Sequence, residues 1–307
     1  MIWKIVVVMF ALFVVLLLVG LVYQNVPSEP VKMKVGEVGS ESFSMVSYDG
    51  NPVYWDNLRF NHNNISYFIN DSCPEGRRES MIEAFGIFER MTDYIYFYGV
   101  DGDADIDVEC SNKSMMLSDN LVAAGEGGQV GIINTSLFKI IERGKIFLYD
   151  DPKCNYPVVE LHELGHVFGF DHSDDPLSVM FPYARCEQRM TDDMVRFIDG
   201  LYFVEALADV RISDLTAIKR GRYLDFNLTI LNEGLSDAFG VNLSVIADGE
   251  VVRVFGVGDI EFGFGRTLYV ENLKMPSRDF DAVDFYIDKE NIVRELDEGN
   301  NVAGVTA

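Results

Sequence analysis

The sequence predicts an α+β unit followed by an antiparallel β-sandwich, both placed after one apolar N-terminal helix. Three observations carry this. Residues 5–23 run without a charge or a strongly polar side chain. Residues 51–207 mix alternating runs with runs of helical period. After Asp209 only short alternating runs remain, separated by Gly, Asn and Asp. The boundaries that follow are 1–24 for a membrane anchor or signal segment, 25–50 for a stalk linker, 51–207 for the α+β unit and 208–307 for the sandwich.

The apolar stretch IVVVMFALFVVLLLVGLVY is long enough to span most of a hydrocarbon core of about 30 Å. Lys4 and the amino terminus favour an orientation with the N-terminus inside and the bulk of the chain outside. A secretory signal peptide is the alternative; its apolar region is shorter and ends at a small-residue cleavage site that is absent here. Both readings put the remaining chain outside the cytoplasm. Residues 25–50 carry Pro, Gly and Ser with little periodicity and read as a stalk.

In the α+β unit, NNISYFIN alternates and reads as a strand. In EGRRESMIEAFGIFERMTD, Met81, Ile82, Phe85, Phe88 and Met91 fall at helical spacing. DADIDVEC, GGQVGIIN and KIFLYD read as further strands. VVELHELGHVFGF reads as an apolar-faced helix stopped near Gly169. A closing helix starts at a Thr191 cap, with acids in its first turn. Beyond Asp209 about seven alternating runs, from ADVRISDLTAI to NIVREL, are the pattern of a β-sandwich.

Lys plus Arg number 25 against 49 Asp plus Glu, a formal net charge of −24. Such an excess of acid repels phosphate backbones and argues against nucleic acid as a partner. Four cysteines in a chain placed outside allow two disulfides in three connectivities.

The chemistry lies in residues 162–172, HELGHVFGFDH. Histidines four apart on a helix share one face, so His162 and His166 can reach one ion. Gly169 tolerates the backbone of a sharp turn, which brings His172 round as a third nitrogen ligand. Three protein ligands leave a position for water, the open arrangement of a catalytic zinc. Glu163, beside the first ligand, can hold that water and take its proton. A hydrogen-bonded core pair would also give two helical histidines. Three of the chain's four histidines in one string favours the metal, and the isolated His62 reads as a surface or packing residue.

HELGHVFGFDH, followed by Ser173 and by Met180 in SVMFPY, resembles the metzincin metalloproteases, and the matrixin branch among them. NISYFIN, the helix at 75–93, DADIDVEC, GGQVGIIN, KIFLYDDP and DDMVRFIDGLY resemble successive matrixin elements in order, over about half of the chain. The resemblance implies a twisted mixed sheet with an active-site helix and one catalytic Zn²⁺ on His162, His166 and His172. It implies Glu163 as the catalytic base, Met180 as the hydrophobic floor of the site, and Pro182 and Tyr183 on the wall of the substrate pocket. The partner would be an extended polypeptide added along the strand that contains Gly128, Gln129, Val130 and Gly131. It also implies the pairing Cys73–Cys110, at the ends of neighbouring parallel strands, and Cys154–Cys186, around the site. The chain departs from the pattern in two ways. Residues 24–50 lack a propeptide cysteine, and His62 alone cannot build a second, structural zinc site. Asp101, Asp103 and Asp105 read as an acidic turn, with Ca²⁺ as the alternative.

LDFNLTILNEGLSDAFGVNLSVIADGE, with VRELDEGNN near the end, resembles a CARDB-type domain of the immunoglobulin-like class. That implies a cell-surface ligand or, equally, a spacer. The expected function is a membrane-anchored, outward-facing zinc endopeptidase. The alternative is a cell-envelope adhesion protein with a vestigial metal domain.

Overall fold

The computed structural model describes residues 9–10, 12–17, 32–38, 42–43, 57–111, 115–118, 121–149 and 154–306. The expected transmembrane helix therefore lies mostly outside the described residues. Within it, residues 9–10 and 12–17 are helical and exposed. Among the described residues no helix is long and apolar enough to cross a membrane.

The stalk reading fails over Lys32–Val38, which form strand β1 and pair antiparallel along a strand of the sandwich. The cause is visible in KMKVGEV, whose alternation and β-branched valines suit an edge strand. The described chain falls into two compact units, one holding β1 with the C-terminal strands and the other the elements between them.

The α+β unit begins with two short strands, β2 (Ser42–Phe43) and β3 (Leu58–Arg59). There follow β4 (Asn64–Ile69), helix α1 (Glu75–Met91), β5 (Tyr96–Gly99), β6 (Ile106–Cys110), β7 (Met115–Ser118) and β8 (Leu121–Ala123). Next come β9 (Gly125–Gln129), β10 (Ile132–Asn134), β11 (Lys139–Ile141) and β12 (Gly144–Leu148). Two helices complete the unit, α2 (Val158–Val167) and α3 (Asp192–Tyr202). The main sheet has the order β5-β4-β6-β12-β9. Its first four strands are parallel, and β9 alone runs antiparallel, at the edge. A parallel arrangement needs helical crossovers, and α1 supplies the one between β4 and β5.

The core gathers Ile106, Val108, Ile146 and Leu148 from the sheet, Met81, Phe85 and Phe88 from α1, and Leu161, Leu164 and Val167 from α2. Ile82, expected on the buried face of α1, is 46% exposed. Ala84 takes its place, because small side chains let α1 approach its neighbours. Cys73–Cys110 closes the ends of the parallel neighbours β4 and β6, with Cα atoms 4.8 Å apart. Cys154–Cys186 links the approach to α2 with the segment after Met180.

The second unit contains β13 (Val210–Arg220), β14 (Tyr223–Asn232), β15 (Ala238–Ala247), β16 (Glu250–Ile260), β17 (Gly265–Lys274), β18 (Ala282–Ile287) and β19 (Val302–Thr306). They form two four-stranded antiparallel sheets, β1-β17-β14-β13 and β16-β15-β18-β19. Alternate residues of β14, Leu224, Phe226, Leu228 and Ile230, face inward. Phe226 meets Phe285 of the opposite sheet edge-to-face at 4.9 Å between centroids. NIVREL, expected as the last strand, is irregular, and β19 replaces it. Asn291 takes a left-handed backbone (φ 51°), and the Val293 amide donates to the Asp288 carboxylate at 2.6 Å, which turns the chain and leaves only an isolated bridge at Glu295.

Candidate active site

Helix α2 carries His162 and His166 one turn apart and Glu163 next to the first, with Glu163 buried and both rings partly open to a cleft. Beyond Val167 the chain reverses at Gly169 (φ 87°), where the Phe170 amide donates to the Gly165 carbonyl at 3.0 Å. A β-carbon at Gly169 would also stand 2.7 Å from Leu58 Cδ2, so the position demands glycine twice over. The reversal delivers His172. One nitrogen from each of His162, His166 and His172 lies within 4.8 Å of the others, the only such metal-capable group among the described residues.

The rings are oriented from behind. His162 Nδ1 donates to the Val179 carbonyl at 2.7 Å, and His166 Nδ1 donates to the Phe170 carbonyl at 2.7 Å. A carbonyl only accepts, so both Nδ1 atoms carry the proton and both Nε2 lone pairs are bare. Those two Nε2 atoms face each other across 3.0 Å, an arrangement that is repulsive until a cation lies between them. Burial pushes the His162 imidazolium down to about 3, with the nearby His166 adding to the shift. Burial likewise lowers His166. Both rings therefore stay neutral, the form that binds a metal. The chemistry of this donor set fits Zn²⁺ with an open position.

Glu163 is 5% exposed. Burial first, then the charges of Glu126 and Glu160, pushes its carboxyl up to about 8. Its slot is made by glycines of β9. A β-carbon at Gly125 would stand 2.7 Å from the Glu163 carboxyl, and one at Gly127 would overlap the Glu163 backbone. Met180 is buried beneath the helix, and a β-carbon at Gly165 would overlap its Sδ. The turn around it is tied by Met180 N to Ser178 Oγ at 3.1 Å and Ser173 N to the Met180 carbonyl at 2.8 Å.

The three histidines and Glu163 open into a cleft of about 690 Å³. One wall is Phe181, Pro182, Tyr183 and Ala184; the other is Ala123 to Gly127. Of the expected substrate edge, Gly128 and Gln129 lie in the edge strand β9, but none of Gly128, Gln129, Val130 and Gly131 lines the cleft. Gly128 and Gln129 end β9, Val130 bends away, and Gly131 takes a left-handed backbone (φ 89°) before β10 joins another sheet. The Gln129 amide is also committed elsewhere, donating to the carbonyls of His166 at 2.6 Å and Val167 at 2.8 Å. It caps the last turn of α2, a role that nothing local in GEGGQ announces.

Among the described residues Asp101, Asp103 and Asp105 do not form a metal-capable group. Asp103 pairs with Arg143. Asp105 accepts from Ser66 Oγ at 2.6 Å and faces His62 Nε2 at 3.1 Å. The order Ser–Asp–His leaves the imidazole unable to take the serine proton, so this trio is structural.

Residues 59–203 match the matrixin family and residues 207–305 match the CARDB family. Human matrix metalloproteinase-26 is 27% identical over 166 residues, which cover 50% of this chain and 62% of that protein. The macrophage metalloelastase of Oryctolagus cuniculus is 28% identical over 154 residues, covering 45% of this chain and 32% of the relative. The chain thus spans less than two thirds of the length of either relative. A CARDB domain of a Pyrococcus furiosus protein, crystallised in complex with di-metal ions, is 17% identical with a TM-score of 0.28 and covers 33% of this chain and 87% of that one. On the two family matches, the chain carries a matrixin domain over residues 59–203 and a CARDB domain over residues 207–305.

Proposed function

We propose that the α+β unit is a zinc endopeptidase acting on extended polypeptides. The observation that carries this reading is the convergence of three imidazoles and a buried carboxyl on one open cleft. His162, His166 and His172 would hold the zinc. When bound, it supplies Lewis acidity to water and to the scissile carbonyl. Glu163 accepts the proton of the attacking water at a carboxylate oxygen and passes it to the leaving amine. Among the described residues strand β9 has no partner on its outer edge, so a substrate backbone can pair with it. Such a pose suits a polypeptide and leaves a small molecule poorly held.

The test compares the full chain, zinc-loaded in detergent, with Glu163→Ala on an unfolded protein. The variant should keep one zinc per chain and lose at least about 100-fold in hydrolysis. Retained hydrolysis would refute the role of Glu163. The apolar residues 5–23 support a membrane anchor with the catalytic unit outside. Protease added to intact cells should then digest the α+β unit, and full protection would place it inside. The CARDB domain is proposed as the segment that meets a cell-surface ligand. Binding to envelope material should weaken when its outer residues are altered, and unchanged binding would leave it a spacer.

A further inference from the structure

Glu126 is the part of the cleft that catalysis does not use. Gly125 and Gly127 both face Glu163, so the intervening Glu126 points to the opposite face of β9. It is exposed, and the Tyr149 hydroxyl donates a hydrogen bond to its carboxylate. Glu126 and Glu163 are the charged side chains on the described lining of the cleft, and no Lys or Arg lines it. Among the described residues Glu126 has no ion-pair partner.

A polypeptide added antiparallel to the free edge of β9 must alternate its side chains between the two faces. The residue opposite Glu126 then shares its face, with Cβ atoms about 4.5–5.5 Å apart. We propose that Glu126, steadied by Tyr149 at the free edge of β9, selects a lysine or arginine at the substrate position that pairs with it. The substrates are then basic extended segments, and the chain's net charge of −24 draws such segments toward it. This inference rests on the endopeptidase reading for its pose and adds to it the class of substrate.

Peptides carrying Lys, Gln or Glu at one position, moved through the residues flanking the scissile bond, test it. For the native chain one position should show a Lys-to-Glu ratio of kcat/KM near about ten, from a favourable and an unfavourable cross-strand pair. Glu126→Gln should bring that ratio to about one, and Glu126→Lys should invert it. Because the ratio is taken within each variant, an overall loss of activity does not disturb it. The same ratio in all three chains overturns the proposal. Peptide binding to the Glu163→Ala chain, followed by fluorescence anisotropy at low and high salt, keeps the two readings apart. If the native chain hydrolyses nothing, the endopeptidase reading fails. The binding preference for Lys still decides the role of Glu126, and equal or undetectable binding of the Lys and Glu peptides overturns it.

Discussion

Gly127 shows how closely single residues are specified at the site. Its missing side chain is what lets β9 lie against the backbone of Glu163. The obstacle is main chain, which cannot rotate aside as a flexible side chain would. Gly127→Ala should therefore cost about 1–3 kcal/mol and displace Glu163 from the cleft. Thermal unfolding and hydrolysis measured together check this; unchanged stability with full activity would show that β9 has room to spare. Gly165 meets only the end of Met180, a flexible side chain, so alanine there should be milder. In the sequence these glycines look alike. The string GEGGQ has low strand propensity, and which of its glycines faces a helix depends on a partner 36 or more positions away. The histidine spacing, by contrast, is legible because its geometry closes within one helix and one turn.

At the scale of elements, helices α1 and α2 are joined by a buried ion pair. Arg77 and Glu160 are 7% and 2% exposed and lie 2.6 Å apart. Among the described residues Arg77 Nη2 has no hydrogen-bond partner, so the pair is incompletely satisfied. Removing one charge strands the other in the interior. Arg77→Met alone should cost about 3–5 kcal/mol, and the double change Arg77→Met with Glu160→Leu should recover most of it. Chemical denaturation of the four chains of this cycle checks it; additive losses would mean that the two groups act independently. Helix α3 is held by another buried arginine. Arg59 donates to the carbonyls of Leu201 at 2.5 Å and Val204 at 2.9 Å and lies 4.5 Å from the centroid of Tyr202. A cation at these terminal carbonyls complements the negative end of the helix dipole. Neither arginine's helix partner could be paired from the sequence, since Glu160 lies 83 positions from Arg77 and Leu201 lies 142 from Arg59. The amphipathic periods of α1 and α3 were readable without those partners, because a helix displays its buried face in its own spacing.

At the scale of the whole molecule, a buried carboxyl of the sandwich couples stability to pH. In the sandwich, burial first raises the Glu295 carboxyl from 4.5 to about 7, and the charges of Glu298 and Asp209 add to the shift. A carboxyl whose folded value lies above its unfolded value stabilises the fold when protonated. That contribution is complete below about 4.5 and fades as the pH rises through about 7. The stability of the C-terminal unit should fall across this window, and Glu295→Gln should flatten the fall. Equilibrium denaturation at several pH values separates the outcomes, and an identical slope in both chains would remove Glu295 as the cause. The Val210 amide and the Asn301 side chain, which hold the carboxylate at 2.6 Å and 2.9 Å, limit the shift.

The sequence by itself determined the class of each unit, the metal motif and the turn that follows it. These rest on interactions between residues a few positions apart: the helical repeat, the alternation of strands and the backbone freedom of Gly169. Tertiary structure decided what those elements face. It set Ala123–Gly127, and not Gly128–Gly131, along the cleft and turned Glu126 outward. It drew Lys32–Val38 out of the stalk into the sheet of β17 and gave the last place in the sandwich to Val302–Thr306. Each of these depends on which strand edge lies free or taken. An edge belongs to a pair of strands distant along the chain, and neither strand records it alone.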